Sequence, residues 1–294
     1  MTGRLIFALP GNEAMSERVA ALLGAEVGEL ETRRFPDGES YLRFVTPPTG
    51  RDIVLVCTLT HPDEKILTLL FAAATAQELG AANVGLLAPY LAYMRQDRRF
   101  KPGESVTSRL TAGLLSHTFD WLVTVDPHLH RYKSLSEIYT IPTRAVHAAP
   151  LISDWVRANV TAPVLIGPDA ESEQWVEAVA RSAGAPFTVL EKTRLGDRDV
   201  EIKVKHMERL QDRTPVLIDD IISSGRTMLE AVRHVGQFAK AAPICLAVHG
   251  IFADNSDAAL IREGARIVTT NTVPHSSNAI DIAPLLAKGA TDLS

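Results

Sequence analysis

The stretch Val216-Leu-Ile-Asp-Asp-Ile-Ile-Ser-Ser-Gly-Arg-Thr-Met228 decides the fold. Its first three residues read as a short buried strand, and a helix is predicted from Thr227 onward. Asp219 and Asp220 therefore stand where the strand ends, at the edge of an α/β sheet where ligands bind. The Ser-Ser-Gly turn that follows directs backbone N–H groups toward the positive end of the helix, a geometry that suits a terminal phosphate.

The two carboxylates beside this phosphate cradle would repel a phosphate unless they accept hydrogen bonds from hydroxyl groups or face a cation. A phosphorylated sugar satisfies both parts of the loop. An N-cap followed by acidic first-turn residues is the structural alternative for the same pattern.

An internal repeat becomes visible when the sequence is shifted by 162 residues, which lays Val54 over Val216. The hydrophobic positions of the two segments agree, and the next helix and strand follow at nearly the same offset. We therefore infer two copies of one α/β domain, with chance similarity between βαβ units as the alternative. The first copy has Thr58 to Asp63 where the second has its acidic pair and turn, so only the second copy keeps that chemistry.

Short apolar runs alternate with helical patterns along the whole chain, from Ile53–Cys57 and Glu64–Leu79 to Asp257–Glu263 and Arg266–Thr269. This alternation predicts βαβ units and mainly parallel sheets flanked by helices. With 294 residues the chain has room for two domains of about 150 residues each. We place them at residues 1–145 and 146–294, with the last segment as a candidate for packing back on the first domain.

Composition limits the classes of function. The chain is 46% hydrophobic with a formal charge of −5, so it lacks the basic footprint of a general nucleic-acid binder. Cys57 and Cys245 lie in apolar strand-like runs and are predicted to be buried free thiols. The longest apolar stretch, Ile66 to Ala76, is shorter than the roughly 20 residues that span a bilayer. A cytoplasmic protein without a membrane partner is expected.

The 216–228 segment resembles the ribose-phosphate-binding signature of the type I phosphoribosyltransferase fold. Four further segments, in the same chain order, resemble the ribose-phosphate pyrophosphokinase family: Arg34-Phe-Pro-Asp-Gly-Glu39, Pro89-Tyr-Leu-Ala-Tyr-Met-Arg-Gln-Asp-Arg-Arg99, Val123-Thr-Val-Asp-Pro-His-Leu-His130 and Ile166-Gly-Pro-Asp-Ala-Glu-Ser-Glu-Gln-Trp175. The twin-domain length also agrees with this family.

The resemblance assigns roles to the sugar-phosphate loop. Asp219 and Asp220 would hold the ribose hydroxyls. The residues that would hold the 5-phosphate, chiefly through backbone donors, are Ser223, Ser224, Gly225, Arg226 and Thr227.

The resemblance also implies an ATP site shared between subunits of a homodimer or higher homo-oligomer. Phe35 would stack on the adenine of a neighbouring subunit, while Asp37 and Glu39 would accept from its exocyclic amine. Arg95 and Gln96 match the family's other nucleotide contacts. Taken alone, the Arg34–Glu39 segment would be an ordinary β-turn, and the Pro89–Arg99 segment would be a solvated charged loop.

His128 and Asp169 match the family's ligands for Mg²⁺ or for the ATP phosphates, with His130 as a weaker candidate. Without the resemblance, a histidine in this position would more often be structural. The chain also departs from the family, because Glu171 and Ser172 stand where many relatives have paired glycines that wrap the pyrophosphate.

The segment Leu190-Glu-Lys-Thr-Arg-Leu-Gly-Asp-Arg198 resembles the family's flexible catalytic loop. Lys192 and Arg194 match its two cations, and Gly196 would allow it to move. Two cations closing over the β-phosphate would stabilise the transition state of phosphoryl-type transfer. A basic turn is the structural alternative.

The implied reaction is attack of the 1-hydroxyl of ribose 5-phosphate on the β-phosphorus of ATP, with Mg²⁺ as cofactor. The products would be AMP and 5-phosphoribosyl 1-pyrophosphate, a precursor for nucleotide biosynthesis. A phosphoribosyltransferase and a non-catalytic regulatory homologue are the alternatives. The first would not need the adenine segment, and the second should have lost the loop cations or metal groups, which this chain retains.

Overall fold

A computed structural model describes residues 3–169, 172–194, 200–204 and 212–293, with only the backbone of 191–194 and 200–204. The chain forms two compact units. The first comprises Met1–His147 together with Ile282–Ser294, and the second comprises Ala148–Asp281.

The first unit is built on a six-stranded parallel sheet in the order β2-β1-β5-β6-β7-β8. Its elements are β1 (Arg4–Ala8), α1 (Glu13–Leu23), β2 (Glu26–Val27), β3 (Leu30–Arg34), β4 (Ser40–Phe44), β5 (Asp52–Val56), α2 (Ile66–Glu78), β6 (Asn83–Ala88), α3 (Thr107–Thr118), β7 (Trp121–Val125) and β8 (Thr143–Val146). Strands β3 and β4 form a separate antiparallel hairpin. The central strands are continuous apolar runs because helices cover both faces of the sheet.

The second unit is built on a seven-stranded sheet in the order β11-β10-β9-β12-β13-β14-β15, in which only the β10–β11 pair is antiparallel. Its elements are α4 (Ala149–Asn159), β9 (Pro163–Gly167), α5 (Glu173–Ala183), β10 (Phe187–Arg194), β11 (Val200–Val204), β12 (Thr214–Ile222), α6 (Arg226–Gly236), β13 (Ile244–Gly250), α7 (Ser256–Arg262), β14 (Arg266–Thr270) and β15 (Asn278–Ile280).

The last helix, α8 (Ala283–Leu293), packs against α1, β7 and β8 of the first unit. Gly289 makes this approach close, since a β-carbon there would lie 2.7 Å from a methyl group of Val123. The chain therefore returns to its first unit after completing the second.

The two sheets share one strand order. Strands β2-β1-β5-β6-β7-β8 of the first unit correspond in sequence to β10-β9-β12-β13-β14-β15 of the second. The predicted fold class, two tandem α/β domains with mainly parallel sheets, is confirmed. Element ends differ by a few residues: the predicted Glu64 helix start lies in a 3₁₀ turn, Pro62–Glu64, and α2 begins at Ile66.

Within the described ranges, no helix combines the length and the apolar character needed to span a bilayer.

A substitution at Gly85 on β6 tests the packing of the first unit. A β-carbon at Gly85 would overlap the indole ring of Trp121 on β7, whose Nε1 donates to Asn83 Oδ1 at 2.9 Å. Gly85→Ala should therefore lower the free energy of unfolding by about 1–3 kcal/mol through overpacking. Urea unfolding followed by circular dichroism measures this change.

Gly113→Ala is the matched control, because no heavy atom lies within 4 Å of a β-carbon at this position in α3. Alanine should stabilise that helix by up to about 1 kcal/mol. Equal denaturation midpoints for Gly85→Ala and the wild type would contradict the packing of Trp121 on β6.

Candidate active site

Three carboxylates meet at the carboxyl edge of the second sheet. Asp169 lies two residues beyond the end of β9, and Asp219 and Asp220 lie on β12, the strand beside it. The backbone N–H of Asp220 donates to Asp219 Oδ1 at 2.9 Å. The structure thus brings Asp169 together with two predicted site residues, Asp219 and Asp220, that lie 50 and 51 positions later in the chain.

Burial is the main cause that raises the pKa of Asp219 from its ordinary 3.8 to about 8. The charges of Asp220 and Asp169 are the next largest causes of this raised pKa. At neutral pH in the ligand-free protein, Asp219 therefore keeps its proton for most of the time. A sugar hydroxyl or a cation would relieve this repulsion.

The turn after β12 has the backbone expected of a phosphate loop. Gly225 has a φ of 67°, in the left-handed region, and α6 begins at the next residue. A β-carbon at Gly225 would also lie 2.7 Å from that of Ser256. Both the backbone conformation and the lack of space therefore require glycine at this position. The first turn of α6 follows directly, and the N–H groups of a helix N-terminus favour an anion.

Two serine side chains form hydrogen bonds that fix the loops at the carboxyl edge of the second sheet, and the sequence did not predict these bonds. Ser256, at the start of α7, donates its hydroxyl to the carbonyl of Ser223 at 2.9 Å. Ser172 donates its hydroxyl to the carbonyl of Asp169 at 2.7 Å, and its N–H donates to Asp169 Oδ1 at 3.1 Å. Ser256 carries no sequence signal, because its element lies more than 30 residues from the loop.

Lys192 and Arg194 were expected on a flexible loop, but their backbones lie on β10. Lys192 pairs with Ile202 and Arg194 with Val200 in an antiparallel ladder. The loop prediction is wrong for these two positions, because residues 200–204 supply a partner strand beyond the end of β9. Their side chains and Gly196 lie outside what the structure describes.

In the first unit, the segments that carry Arg95, Gln96 and His128 follow the neighbouring strands β6 and β7. Arg95 is exposed, whereas Gln96 and His128 are half-buried. The ring centroids of His128 and His130 are 5.0 Å apart.

An ion pair with a bifurcated hydrogen bond joins these two segments. Arg131 Nη1 donates to both carboxylate oxygens of Asp97, at 2.8 and 3.0 Å, and the Asp97 side chain is only 1% exposed. The hydroxyl of Tyr132 also donates to the carbonyl of Asp97 at 3.1 Å. Because Asp97 adjoins Gln96, this pair fixes the predicted nucleotide contacts relative to the histidines.

The predicted adenine contacts Phe35, Asp37 and Glu39 occupy the exposed tip of the β3–β4 hairpin. The Phe35 N–H donates to the carbonyl of Glu39 at 2.8 Å, and the Gly38 N–H donates to that of Phe35 at 2.9 Å. The guanidinium of Arg33 lies 4.5 Å from the centroid of the Phe35 ring. The tip is therefore exposed and held in one shape.

His147 follows β8 and Asp126 follows β7, and His147 Nδ1 lies 2.8 Å from Asp126 Oδ1, within hydrogen-bond distance. The hydrogen bond to Asp126 is the main cause that raises the pKa of His147. Asp126 has a φ of 32°, an uncommon conformation for a residue with a side chain.

Among the residues whose side chains are described, no three His, Cys, Asp or Glu form a metal site by themselves. Asp169 lies in the second unit and His128 in the first, so each predicted metal ligand is described within its own unit.

The duplicated parallel sheet and its glycine-containing loop define a protein of the type I phosphoribosyltransferase fold. Residues 4–118 match the N-terminal domain of ribose phosphate pyrophosphokinase, and residues 134–284 match the phosphoribosyl transferase domain. The chain belongs to the ribose-phosphate pyrophosphokinase family.

Individual proteins agree with this assignment. A ribose-phosphate pyrophosphokinase of Methanopyrus kandleri is 34% identical over 99% of both chains, and one of Methanothermobacter thermautotrophicus is 32% identical over 96% of this chain and 98% of its own. The crystal structure of phosphoribosylpyrophosphate synthetase from Mycobacterium smegmatis has a TM-score of 0.85 at 25% identity, covering 98% of this chain and 97% of its own. The predicted family is thereby confirmed.

Asp219→Asn should stabilise the ligand-free protein. The pKa of Asp219 is about 8 in the native protein, whereas the unfolded chain has the ordinary value of 3.8. The unfolded state therefore releases this proton first, and the free energy of unfolding falls as pH rises from 3.8 to about 8. We expect the melting temperature in EDTA to rise by about 2–4 °C at about pH 8, and by less at about pH 5.

Asp212→Asn is the control, because the Asp212 side chain is exposed and pairs with the exposed Lys240. Its melting temperature should match that of the wild type at both pH values. A gain for Asp219→Asn that does not depend on pH would show that this carboxyl ionises normally.

Arg131→Met should loosen the segment that carries Arg95 and Gln96. We expect the KM for ATP to rise about fivefold, the effect of about 1 kcal/mol, with a smaller change in the KM for ribose 5-phosphate. Steady-state kinetics with each substrate varied in turn measures both. Arg144→Met, which removes an exposed pair with Asp292, is the control. Equal changes in both KM values would argue against a positioning role.

Proposed function

We propose that the chain transfers the β,γ-pyrophosphoryl group of ATP to the 1-hydroxyl of ribose 5-phosphate, giving 5-phosphoribosyl 1-pyrophosphate and AMP. The observation that carries this proposal is the meeting of Asp169, Asp219 and Asp220 beside the left-handed Gly225 turn. A phosphorylated sugar is the ligand that this combination fits.

The second unit would bind the sugar. Asp219 and Asp220 would accept hydrogen bonds from the ribose hydroxyls, which would replace the hydration that the buried Asp219 carboxylate lacks. The 5-phosphate would lie against the backbone of Ser223 to Thr227 at the start of α6. The 1-hydroxyl would then be oriented for in-line attack on the β-phosphorus.

The first unit would contribute nucleotide contacts. Arg95 and Gln96 would bind ATP, and Phe35 would stack on the adenine bound by a neighbouring copy, with Asp37 and Glu39 accepting from its amine. The exposed, internally hydrogen-bonded hairpin tip supports this role, because it presents these side chains at little cost in ordering.

A homodimer or higher homo-oligomer follows from a shared ATP site. Two pairs of large apolar side chains support association, since about half or more of each is exposed: Leu67 and Phe71 on α2, and Leu110 and Leu114 on α3. We expect the enzyme to work in the cytoplasm and to feed nucleotide biosynthesis.

The donor chemistry fits Mg²⁺, which prefers carboxylate oxygens and retains water and phosphate ligands. Asp169 would be its carboxylate contact, with His128 as a weaker one. Mg²⁺ would neutralise the charge on the ATP phosphates. The excess of negative charge around Asp169 and Asp219 supports cation binding at this edge.

Lys192 and Arg194 would act as the catalytic cations. Strand β10 runs beyond the end of β9, so its last residues project past the sheet edge that carries Asp169. Cations there would stabilise the charge that develops on the transferring phosphoryl group.

The test is release of AMP from ATP and Mg²⁺ with and without ribose 5-phosphate, with the sugar product identified by mass spectrometry. We expect sugar-dependent AMP and a pyrophosphorylated sugar. Lys192→Ala with Arg194→Ala should lower kcat by a factor on the order of 10² to 10³ and leave ribose 5-phosphate binding intact.

A double variant of two exposed cations in the same unit, Arg181→Ala with Lys240→Ala, is the control and should retain full activity. If the folded wild type binds ribose 5-phosphate but releases no AMP, the proposed activity is wrong and a regulatory role takes its place. Transfer of the sugar to a base would instead identify a phosphoribosyltransferase.

A further inference from the structure

Residues 251–257, which follow β13 and enter α7, form a segment that contacts the sugar-phosphate loop; we call it the support segment. The N–H groups of Ile251 and Phe252 both donate to the carbonyl of Ile222, at 2.9 and 3.1 Å. Ile222 is the last residue of β12 and directly precedes Ser223. The start of the support segment therefore fixes the strand end from which the loop begins.

Ser256 holds the next part of the loop. Its hydroxyl donates to the carbonyl of Ser223 at 2.9 Å, and its side chain is buried. A β-carbon at Gly225 would lie 2.7 Å from that of Ser256, so the two backbones approach closely. The support segment therefore contacts both the beginning and the turn of the sugar-phosphate loop.

The backbone of the support segment adopts an uncommon conformation. Phe252, Asp254 and Asn255 have φ values of 50°, 57° and 55°, all in the left-handed region. Aspartate and asparagine tolerate this region, whereas a bulky residue such as phenylalanine rarely enters it. A strained conformation of this kind persists only where the surrounding groups hold it. The shape of the support segment therefore depends on the groups that pack against Phe252.

Gly250 and His275 both adjoin the ring of Phe252. A β-carbon at Gly250 would lie 2.4 Å from an atom of this ring, so only glycine leaves room for the ring there. The ring centroids of Phe252 and His275 are 4.5 Å apart, with an angle of 41° between the planes. His275 lies between β14 and β15, so it comes from a different part of the chain.

His275 also reaches the other end of the support segment, where its Nε2 lies 3.4 Å from Asp257 Oδ2. The N–H of Ser277 donates to His275 Nδ1 at 3.2 Å, so the neutral imidazole is assigned its proton on Nε2, beside Asp257. The N–H of His275 donates to Asn278 Oδ1 at 2.9 Å, which anchors the histidine backbone. One anchored side chain thus contacts both ends of the segment that holds the loop.

We propose that His275 is a positioning residue for ribose 5-phosphate, acting through Phe252 and the support segment on the sugar-phosphate loop. This inference rests on the proposed function, in which that loop holds the 5-phosphate. A loop that is already held in its binding shape loses less conformational entropy when the substrate binds. Loss of His275 should therefore weaken binding of the sugar phosphate and leave the chemical step nearly unchanged.

His275→Ala should raise the KM for ribose 5-phosphate by about fivefold, with kcat and the KM for ATP changed by less than about twofold. Steady-state kinetics with each substrate varied in turn measures this split. His275→Gln keeps a planar group for Phe252 and a donor for Asp257, so it should restore most of the wild-type KM. His117→Ala, which removes an exposed histidine from α3, is the control and should match the wild type.

Ser256→Ala tests the same route from the side of the loop. If His275 acts through the support segment, the two substitutions are coupled. The double variant should then raise the KM for ribose 5-phosphate by less than the product of the two single effects.

Hydrogen exchange of the ligand-free protein provides a readout that needs no turnover. In His275→Ala the amides of residues 223–228 should exchange at least about threefold faster, because the loop opens locally more often. The amides of the core strand β9 should exchange as in the wild type, which separates local loosening from a general loss of stability.

The proposal is overturned if His275→Ala leaves either the KM for ribose 5-phosphate or the exchange of the loop amides at the wild-type value. Equal increases in the KM values of both substrates also overturn it. A wild type that releases no AMP in the presence of ribose 5-phosphate contradicts the proposed function instead. Hydrogen exchange then decides by itself whether His275 holds the loop.

Discussion

Parallel pairing of β9 with β12 places three carboxylates at one edge of the second sheet, where burial, and after it the charges of Asp220 and Asp169, raise the pKa of Asp219. Burial keeps Asp219 protonated in the free protein, so the edge stores unfavourable energy that a polyhydroxyl ligand or a cation can release. The Gly225 turn places the N-terminus of α6 beside the carboxylates, and a helix N-terminus favours an anion such as a phosphate group. The burial of charge that destabilises the ligand-free edge would therefore also favour the binding of a hydroxyl-rich ligand or a cation.

The two units of the chain are copies of one α/β domain. Both units use one strand order. What differs is charge. At the end of β12 the second unit carries Asp219 and Asp220, whereas the first unit has Cys57 and Thr58 at the corresponding positions after β5. A parallel sheet tolerates such divergence because loops at its edge are exchanged without disturbing the buried strands.

Rigid local contacts hold the polar segments of the first unit. The Asp97–Arg131 pair joins the loops after β6 and β7, and backbone hydrogen bonds close the hairpin that presents Phe35. These contacts exist without a bound ligand, so less conformational entropy would be lost when a ligand binds. The same logic applies to Ser256, whose hydroxyl holds the sugar-phosphate loop from a different helix.

The sequence by itself determined the duplicated α/β architecture, the family and the position of the 219–227 loop, because these depend on hydrophobic periodicity and contiguous motifs. Only the tertiary structure decided which distant groups meet. It joined Asp169 to Asp219, Ser256 to Ser223 and Arg131 to Asp97, since strand pairing and helix packing bring together residues with no sequence relation.

The placement of Lys192 and Arg194 on a strand was missed for the same reason. A basic stretch with a glycine predicts a loop locally, but pairing with residues 200–204 makes it a strand. Local patterns determine elements, whereas the charge balance of a site depends on non-local contacts.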